Sequence, residues 1–125
     1  VLIVDDVPMN RKMLNRTISS IYSHIEEAVD GLDAIRQYKA AQTENNPFGV
    51  IFMDFMMPNM DGGTATYELR KLGFTGPIIG VTGHALSEDI EQFKSKGANA
   101  VCLKPVSLSV LHGAVQEAFL YITEK

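Results

Sequence analysis

The chain has a single cysteine, Cys102, among its 125 residues. No intramolecular disulfide can form, a cysteine-based zinc site lacks its partners, and a reducing compartment is the natural setting. Positive charge is also scarce: 11 Lys and Arg against 15 Asp and Glu leave a net charge of −4 and an isoelectric point near 5.3. Binding along a phosphate backbone needs clustered cations that displace counterions, so direct nucleic-acid binding is not expected. No apolar run is long enough to span a bilayer, and Val1-Leu2-Ile3-Val4 is too short and lacks the basic flank of a signal peptide. These deficits point to a cytoplasmic domain with no membrane insertion by this segment. Because the chain starts inside an apolar run without an initiator Met, a piece cut from a longer polypeptide is expected.

What is present is ordinary in amount and regular in arrangement. A hydrophobic share of 46% and a charged share of 21% fit one globular domain over residues 1–125 with a single core. Short apolar runs alternate with segments of helical period, the mark of βα units that feed a parallel sheet covered on both faces. Five units are legible. Val1 to Val4 is followed by a helix opened by Pro8, with Met9, Met13, Thr17, Ile18 and Ile21 near the helical period. Ile25 to Val29 is a weak second strand, and Asp30 can cap a helix with Leu32, Ile35 and Tyr38 facing inward. Val50 to Met53 runs into Asp54; Met56 to Gly63 reads as irregular, and a helix follows from about Thr64 to Leu72. Ile78 to Val81 ends at Thr82, a helix carries Ile90 and Phe93, and Ala100 to Leu103 precede Lys104-Pro105. The last helix, Ser107 to Thr123, has Val110, Leu111, Val115, Ala118, Phe119 and Ile122 as its apolar stripe.

In an open parallel sheet, ligands bind beyond the carboxyl ends of the strands. Asp5 and Asp6 end the first strand, Asp54 the third, Thr82 the fourth and Lys104 the fifth, so four elements deliver polar groups to one rim. Three crowded carboxylates repel unless they are neutralised, and their natural partners are the Lys104 ammonium and a hard divalent cation. Mg²⁺ suits such an oxygen set, with Asp6 and Asp54 as carboxylate ligands beside phosphate oxygens. A carboxylate can attack phosphorus when charge on the transferring group is neutralised, which makes Asp54 the expected nucleophile. Lys104 would pair with one phosphoryl oxygen, the Thr82 hydroxyl with another and Mg²⁺ with a third.

Val-Asp-Asp at residues 4–6, Met-Asp-Phe-Met-Met-Pro-Asn-Met-Asp-Gly at 53–62, Val-Thr-Gly at 81–83 and Lys-Pro at 104–105 resemble, in order and spacing, the motifs of receiver domains in two-component phosphorelays. The resemblance covers essentially the whole chain. It implies a flavodoxin-like (βα)5 fold, a three-layer sandwich with a five-stranded parallel sheet in the order 2-1-3-4-5. It also implies phosphorylation at Asp54, acidic metal positions at Asp5 and Asp6, a backbone carbonyl ligand from Met56, Mg²⁺ with Mn²⁺ as a substitute, and Thr82 and Lys104 as switch residues. The segment 5–11 and the run 81–88 look more like receivers of hybrid histidine kinases. The implied partner is then a histidine kinase or a histidine phosphotransfer domain, docking on the first helix, with Met9, Met13 and Leu14 as candidates if exposed. Such a module is no conventional enzyme, since it catalyses only its own aspartyl phosphorylation and dephosphorylation. Receivers commonly carry an aromatic residue three positions before the Lys; Val101 stands there, so the output is expected to be small or carried by the loop around Gly83 and His84.

Other chemistries are weaker. A haloacid-dehalogenase-like hydrolase needs a second Asp two residues after the nucleophile, where Met56 stands; this side chain is expected to slow hydrolysis of an acyl phosphate. A flavodoxin-type cofactor binder needs a phosphate-cradling loop after the first strand, and Pro8-Met9-Asn10-Arg11 offers none. His24, His84 and His112 lack partners at ligand spacing, His84 reads as a surface residue, and Cys102 reads as a small core side chain. Met53, Met56, Met57 and Met60 read as packing residues, and Arg70 and Lys71 as a solvated helix face.

Overall fold

The computed structural model describes residues 1–83 and 86–123, with side chains described up to residue 120. Strands and helices alternate as β1 (Leu2–Val4), α1 (Pro8–Ile18), β2 (Glu26–Ala28), α2 (Gly31–Thr43), β3 (Ile51–Asp54), α3 (Gly62–Lys71), β4 (Ile78–Thr82), α4 (Ser87–Ser95), β5 (Ala100–Leu103) and α5 (Leu108–Thr123). All strand pairs are parallel, and the sheet order is β2-β1-β3-β4-β5. The chain therefore winds outward from β1 in both directions. Register places Val4 beside Met53, and Asp54 beside Val81.

Because successive strand residues point to opposite faces, one sheet divides the apolar residues into two cores. Leu2, Val4, Ile51, Met53 and Ile78 pack with Ala34, Tyr38, Leu69 and Phe93 on the face covered by α2, α3 and α4. Ile3, Phe52, Ile79, Val81 and Cys102 pack with Ile18, Leu111, Val115 and Ala118 on the face covered by α1 and α5. The strands are buried on both sides, which is why they read as continuous apolar runs.

The helices bury narrower stripes than their sequences suggested. In α2 the inward line is Gly31, Ala34, Tyr38 and Ala41, with Ile35 flanking it, while Leu32 and the preceding Val29 are exposed. In α5 it is Leu111, Val115 and Ala118; Val110 and Phe119 are exposed, and Ile122 lies outside the described side chains. In α1 only Ile18 is fully buried, Leu14 is half-buried, and Met9 and Met13 face solvent, as does Ile21 beyond the helix end. A helix tangent to a flat sheet has one contact line, so apolar residues a turn's edge away remain outside it. Helix α3 begins at Gly62, two residues earlier than its composition suggested, because Asp61 caps it by accepting from the Thr64 amide at 2.7 Å.

Arg70 is the main correction to the sequence reading of the helices. Its guanidinium is half-buried and donates to the carbonyls of Gly97 (2.8 and 3.1 Å), Phe74 (2.9 Å) and Gly76 (2.7 Å) and to Asn99 Oδ1 (2.9 Å). It also lies over the Phe74 ring. One planar fork thus ties the end of α3 to the α3–β4 and α4–β5 connections, at the amino ends of the strands, away from Asp54. The Asn99 oxygen in turn accepts from the Ile78 amide, which fixes the start of β4. An ammonium cannot span these acceptors. Arg70→Lys is expected to lower the unfolding free energy by about 2–3 kcal/mol in urea denaturation, the range for losing several charge-assisted hydrogen bonds.

Candidate functional site

The carboxyl ends of β1, β3, β4 and β5 converge on one polar rim. Asp5 directly follows β1, Asp54 ends β3, Thr82 ends β4 and Lys104 follows β5. Asp5, Asp54 and Thr82 are each more than nine-tenths buried, although the surrounding strand residues are almost all apolar. Lys104 Nζ donates to Asp5 Oδ2 at 2.9 Å and to Asp54 Oδ1 at 3.1 Å, so one ammonium bridges two strand ends. Its backbone amide donates to the Thr82 carbonyl at 2.8 Å, which locks the ends of β4 and β5 together. The following Lys104–Pro105 peptide is cis.

Each acidic residue has a different environment. Asp5 is held by the Val7 amide, which donates to its Oδ1 at 2.9 Å, and its carbonyl accepts from the Arg11 guanidinium at 2.8 Å. Arg11 also pairs with Glu27 on β2, so α1 is anchored across the first two strands. Asp6 is half-buried and has no hydrogen-bond partner among the described residues. Oxygens of Asp5, Asp6 and Asp54 lie within 4.8 Å of one another, close enough for one metal ion. All three donors are hard carboxylate oxygens, which suits a hard cation and not a soft one.

Gly62 fixes the placement of Asp54. A Cβ on residue 62 would lie 2.0 Å from the Asp54 carbonyl oxygen and 2.9 Å from Phe55 Cα, so α3 starts directly against the backbone of the β3 end. The Gly62 amide donates to the Phe55 carbonyl at 2.7 Å. Between these two fixed points the loop carries Met56, exposed beside Asp6 and Phe55 at the edge of a shallow groove, while Met57 and Met60 pack against the core.

On the other side of the rim is a cleft of about 310 Å³. Asn10, Met13, Leu14 and Thr17 of α1 form one wall, Pro105 and Val106 the other, and Asp54 and Lys104 its polar end. Val101 is half-buried and packs against the core on the α3–α4 face. His84 lies outside the described residues, and so the expected role of its loop is not described. His24 and His112 are exposed, away from the acidic group, and Cys102 is buried, which raises its thiol pKa. Sequence reasoning missed Arg11, because a basic residue on the first helix carries no sign that it will reach back to a strand-end carbonyl.

Two findings place the chain. A doubly wound sheet with a carboxylate and lysine rim at the point where its order reverses is the architecture of phosphoryl-accepting signalling domains. The chain belongs to the response regulator receiver domain family, whose model matches residues 1–116. Among curated relatives, it is 37% identical over 111 residues to the sensor histidine kinase RcsC of Salmonella typhimurium, covering 89% of this chain and 11% of that protein. It is 34% identical to the sensor protein EvgS of Escherichia coli, covering 89% of this chain and 9% of that protein. The chain thus spans about a tenth of the length of these relatives. Among solved structures, the receiver domain of the histidine kinase CKI1 from Arabidopsis thaliana superimposes with a TM-score of 0.81 at 32% identity, over 93% of this chain and 86% of that one. A chain of the CheX–CheY–BeF3–Mg²⁺ complex from Borrelia burgdorferi does so with a TM-score of 0.83 at 26% identity, over 94% and 87%. No helix among the described residues is long and apolar enough to cross a membrane.

Burial, then the nearby Asp5 charge, push the Asp54 carboxyl up to about 6, against the opposing pull of Lys104. Burial also opposes the Lys104 charge, but hydrogen bonds and attraction from Asp5 and Asp54 outweigh it and raise that pKa. The consequence for stability has a definite sign. Asp54 holds its proton longer folded than unfolded, so without metal its contribution to stability is lost as pH rises from about 4 to about 6. Asp54→Asn removes that penalty. The variant is expected to be more stable than the parent at pH 7 by about 1–3 kcal/mol and equally stable near pH 4, as read by metal-free denaturation at both values.

Proposed function

We propose that the domain receives a phosphoryl group from a phosphohistidine of a histidine kinase or histidine phosphotransfer domain onto Asp54, with Mg²⁺ as cofactor. The observation that carries this reading is the Lys104 ammonium shared between two buried carboxylates, with a third carboxylate, Asp6, close by and unpaired among the described residues. One ammonium does not balance three carboxylates, and a divalent cation would restore the balance. The CheX–CheY complex from Borrelia burgdorferi, similar in fold and sequence, contains both Mg²⁺ and BeF3.

The residues that would hold Mg²⁺ are Asp5, Asp6, Asp54 and the backbone carbonyl of Met56; Mn²⁺ would take the same oxygen ligands. When bound, the cation neutralises charge on the phosphoryl oxygens and on the attacking carboxylate. An Asp54 oxygen then attacks phosphorus, the O–P bond forms as the N–P bond to the histidine breaks, and the imidazole nitrogen leaves with the bond's electron pair. Lys104 moves its donor contact from Asp54 to a phosphoryl oxygen, and the Thr82 hydroxyl donates to another. Met56 stands two residues beyond the acceptor, where its side chain would slow hydrolysis by limiting the approach of water.

Docking through α1 is supported by the cleft that ends at Asp54 and Lys104. Met9 and Met13 are 66% and 53% exposed, and Met13 lines the cleft beside Asp54 and Lys104, which puts apolar surface next to the acceptor. Leu14 is half-buried against the core and forms the inner wall of the cleft. With Val101 where receivers commonly carry an aromatic residue, the conformational response would be small or carried by the loop around residues 83 and 84.

Incubation with Mg²⁺ and acetyl phosphate is expected to add one phosphoryl group by intact mass. The adduct should be lost in Asp54→Asn and when Mg²⁺ is omitted. A protein that stays unmodified with both acetyl phosphate and phosphohistidine donors would refute the reading. For the docking surface, Met13→Glu is expected to slow transfer from the histidine partner about tenfold or more, as burial of a charge in an apolar interface requires. Labelling by acetyl phosphate should be unchanged in that variant.

A further inference from the structure

We infer that Asn59 is a positioning residue for the metal site, acting through a hydrogen bond to the N-cap of α2. This inference rests on the proposed use of Asp54, Asp6 and the Met56 carbonyl as Mg²⁺ ligands. Asn59 has a φ of 69°, in the left-handed region that Asn tolerates better than most residues. Its side-chain amide donates to Asp30 Oδ2 at 3.1 Å, across 29 residues of sequence. The other Asp30 oxygen accepts from the Asp33 amide at 2.8 Å and caps α2. One carboxylate therefore serves two tasks, one oxygen for each.

The bond has a neighbour that makes the docking close. A Cβ on Gly31 would lie 3.1 Å from both Met60 Cβ and Met60 Cγ, and 3.0 Å from Ala65 Cβ, so residue 60 rests where a side chain would otherwise stand. Asn59 and Met60 together seat the middle of the β3–α3 loop on the first turn of α2. At its two ends that loop is already fixed, by Asp54 in the sheet and by Gly62 against the Asp54 carbonyl. Met56 lies between the β3 end and this seat. It is 63% exposed, so little packing of its own holds it. Phe55 and Met57 on either side of it pack against the core, and the exposed Asn59 bond adds to them a restraint on the following turn that limits how far the 56 carbonyl can stray from Asp54. Supporting bonds of this kind shift metal affinity without touching the metal.

Calorimetric titration with Mg²⁺ alone tests the inference on the parent, Asn59→Gly, Asp30→Ser and the double variant. Glycine keeps the left-handed backbone and deletes the amide; serine keeps a cap for α2 but lacks the oxygen that Asn59 uses. Each single variant is expected to weaken Mg²⁺ binding about two- to tenfold, the range of one net hydrogen bond. The double variant should be no weaker than the weaker single one, since both remove the same bond. Melting temperatures in EDTA should fall by no more than about 2–8 °C for Asn59→Gly, the loss expected from one net hydrogen bond.

Parent-like affinity in Asn59→Gly, or additive losses in the double variant, would overturn the inference. A loss of affinity accompanied by a fall in the metal-free melting temperature of more than about 10 °C, well beyond the loss of one hydrogen bond, would overturn it as well, because general loosening would explain both. Asp6→Asn separates the levels: if it abolishes Mg²⁺ binding while Asn59→Gly leaves it intact, only the positioning role fails. A parent that binds no Mg²⁺ would remove the proposed function together with this inference.

Discussion

The contact of the Lys104 ammonium with Asp5 and Asp54 joins the ends of three strands and sets the chemistry of the rim. Lys104 follows β5, at the edge of the sheet, yet it reaches past β4 to the ends of β3 and β1. Thr82, whose carbonyl holds the Lys104 amide, fixes the base from which that side chain extends. The buried carboxylates would otherwise face each other in a medium of low dielectric, where like charges repel strongly. The pairing is incomplete, because Asp6 remains without a described partner. An unbalanced but ordered cluster is suited to binding a cation and then a phosphoryl group, since the groups that must change partners are already in place.

The sheet order makes this cluster possible. From β1 the chain passes through α1 to β2, then crosses back through α2 to β3 on the other side of β1, so the loops leaving β1 for α1 and β3 for α3 go to opposite faces and part above Asp5 and Asp54. That gap is where an open parallel sheet binds ligands. On one side α1 and the segment after Lys104 enclose the apolar cleft, and on the other the β3–α3 loop seats on α2. A partner that brings a phosphohistidine and a metal ion from solvent would therefore approach Asp54 from different sides. Arg70, at the amino ends of β4 and β5, holds the opposite loops together and takes no part in the rim.

Much of this was legible in the sequence, and for physical reasons. Strands buried on both faces are written as apolar runs, and the polar residue that ends each run marks the rim, which is how Asp5, Asp54, Thr82 and Lys104 could be assigned to one edge. The helical stripes were less legible: Leu32, Val110 and Phe119 are apolar yet exposed, because periodicity does not reveal how narrow the contact line on the sheet is. Arg11, Arg70 and Asn59 were not legible as anchors at all. Each acts through a backbone or side-chain acceptor distant in sequence, and only the folded geometry brings donor and acceptor together. The glycine at residue 62 stood in a recognisable motif, but the reason for it, contact with the Asp54 carbonyl, is a matter of three dimensions.

The most direct test of a buried carboxylate left short of positive charge is to follow the titration of Asp54 itself by carbon-detected NMR on aspartate-labelled protein, with and without Mg²⁺. A midpoint near 6 is expected in the metal-free domain, driven by burial and by Asp5, with a fall to well below the ordinary carboxylate value when Mg²⁺ saturates the site. A single ordinary midpoint that ignores Mg²⁺ would contradict it, because Asp54 would then be neither strained by its neighbours nor a ligand of the ion.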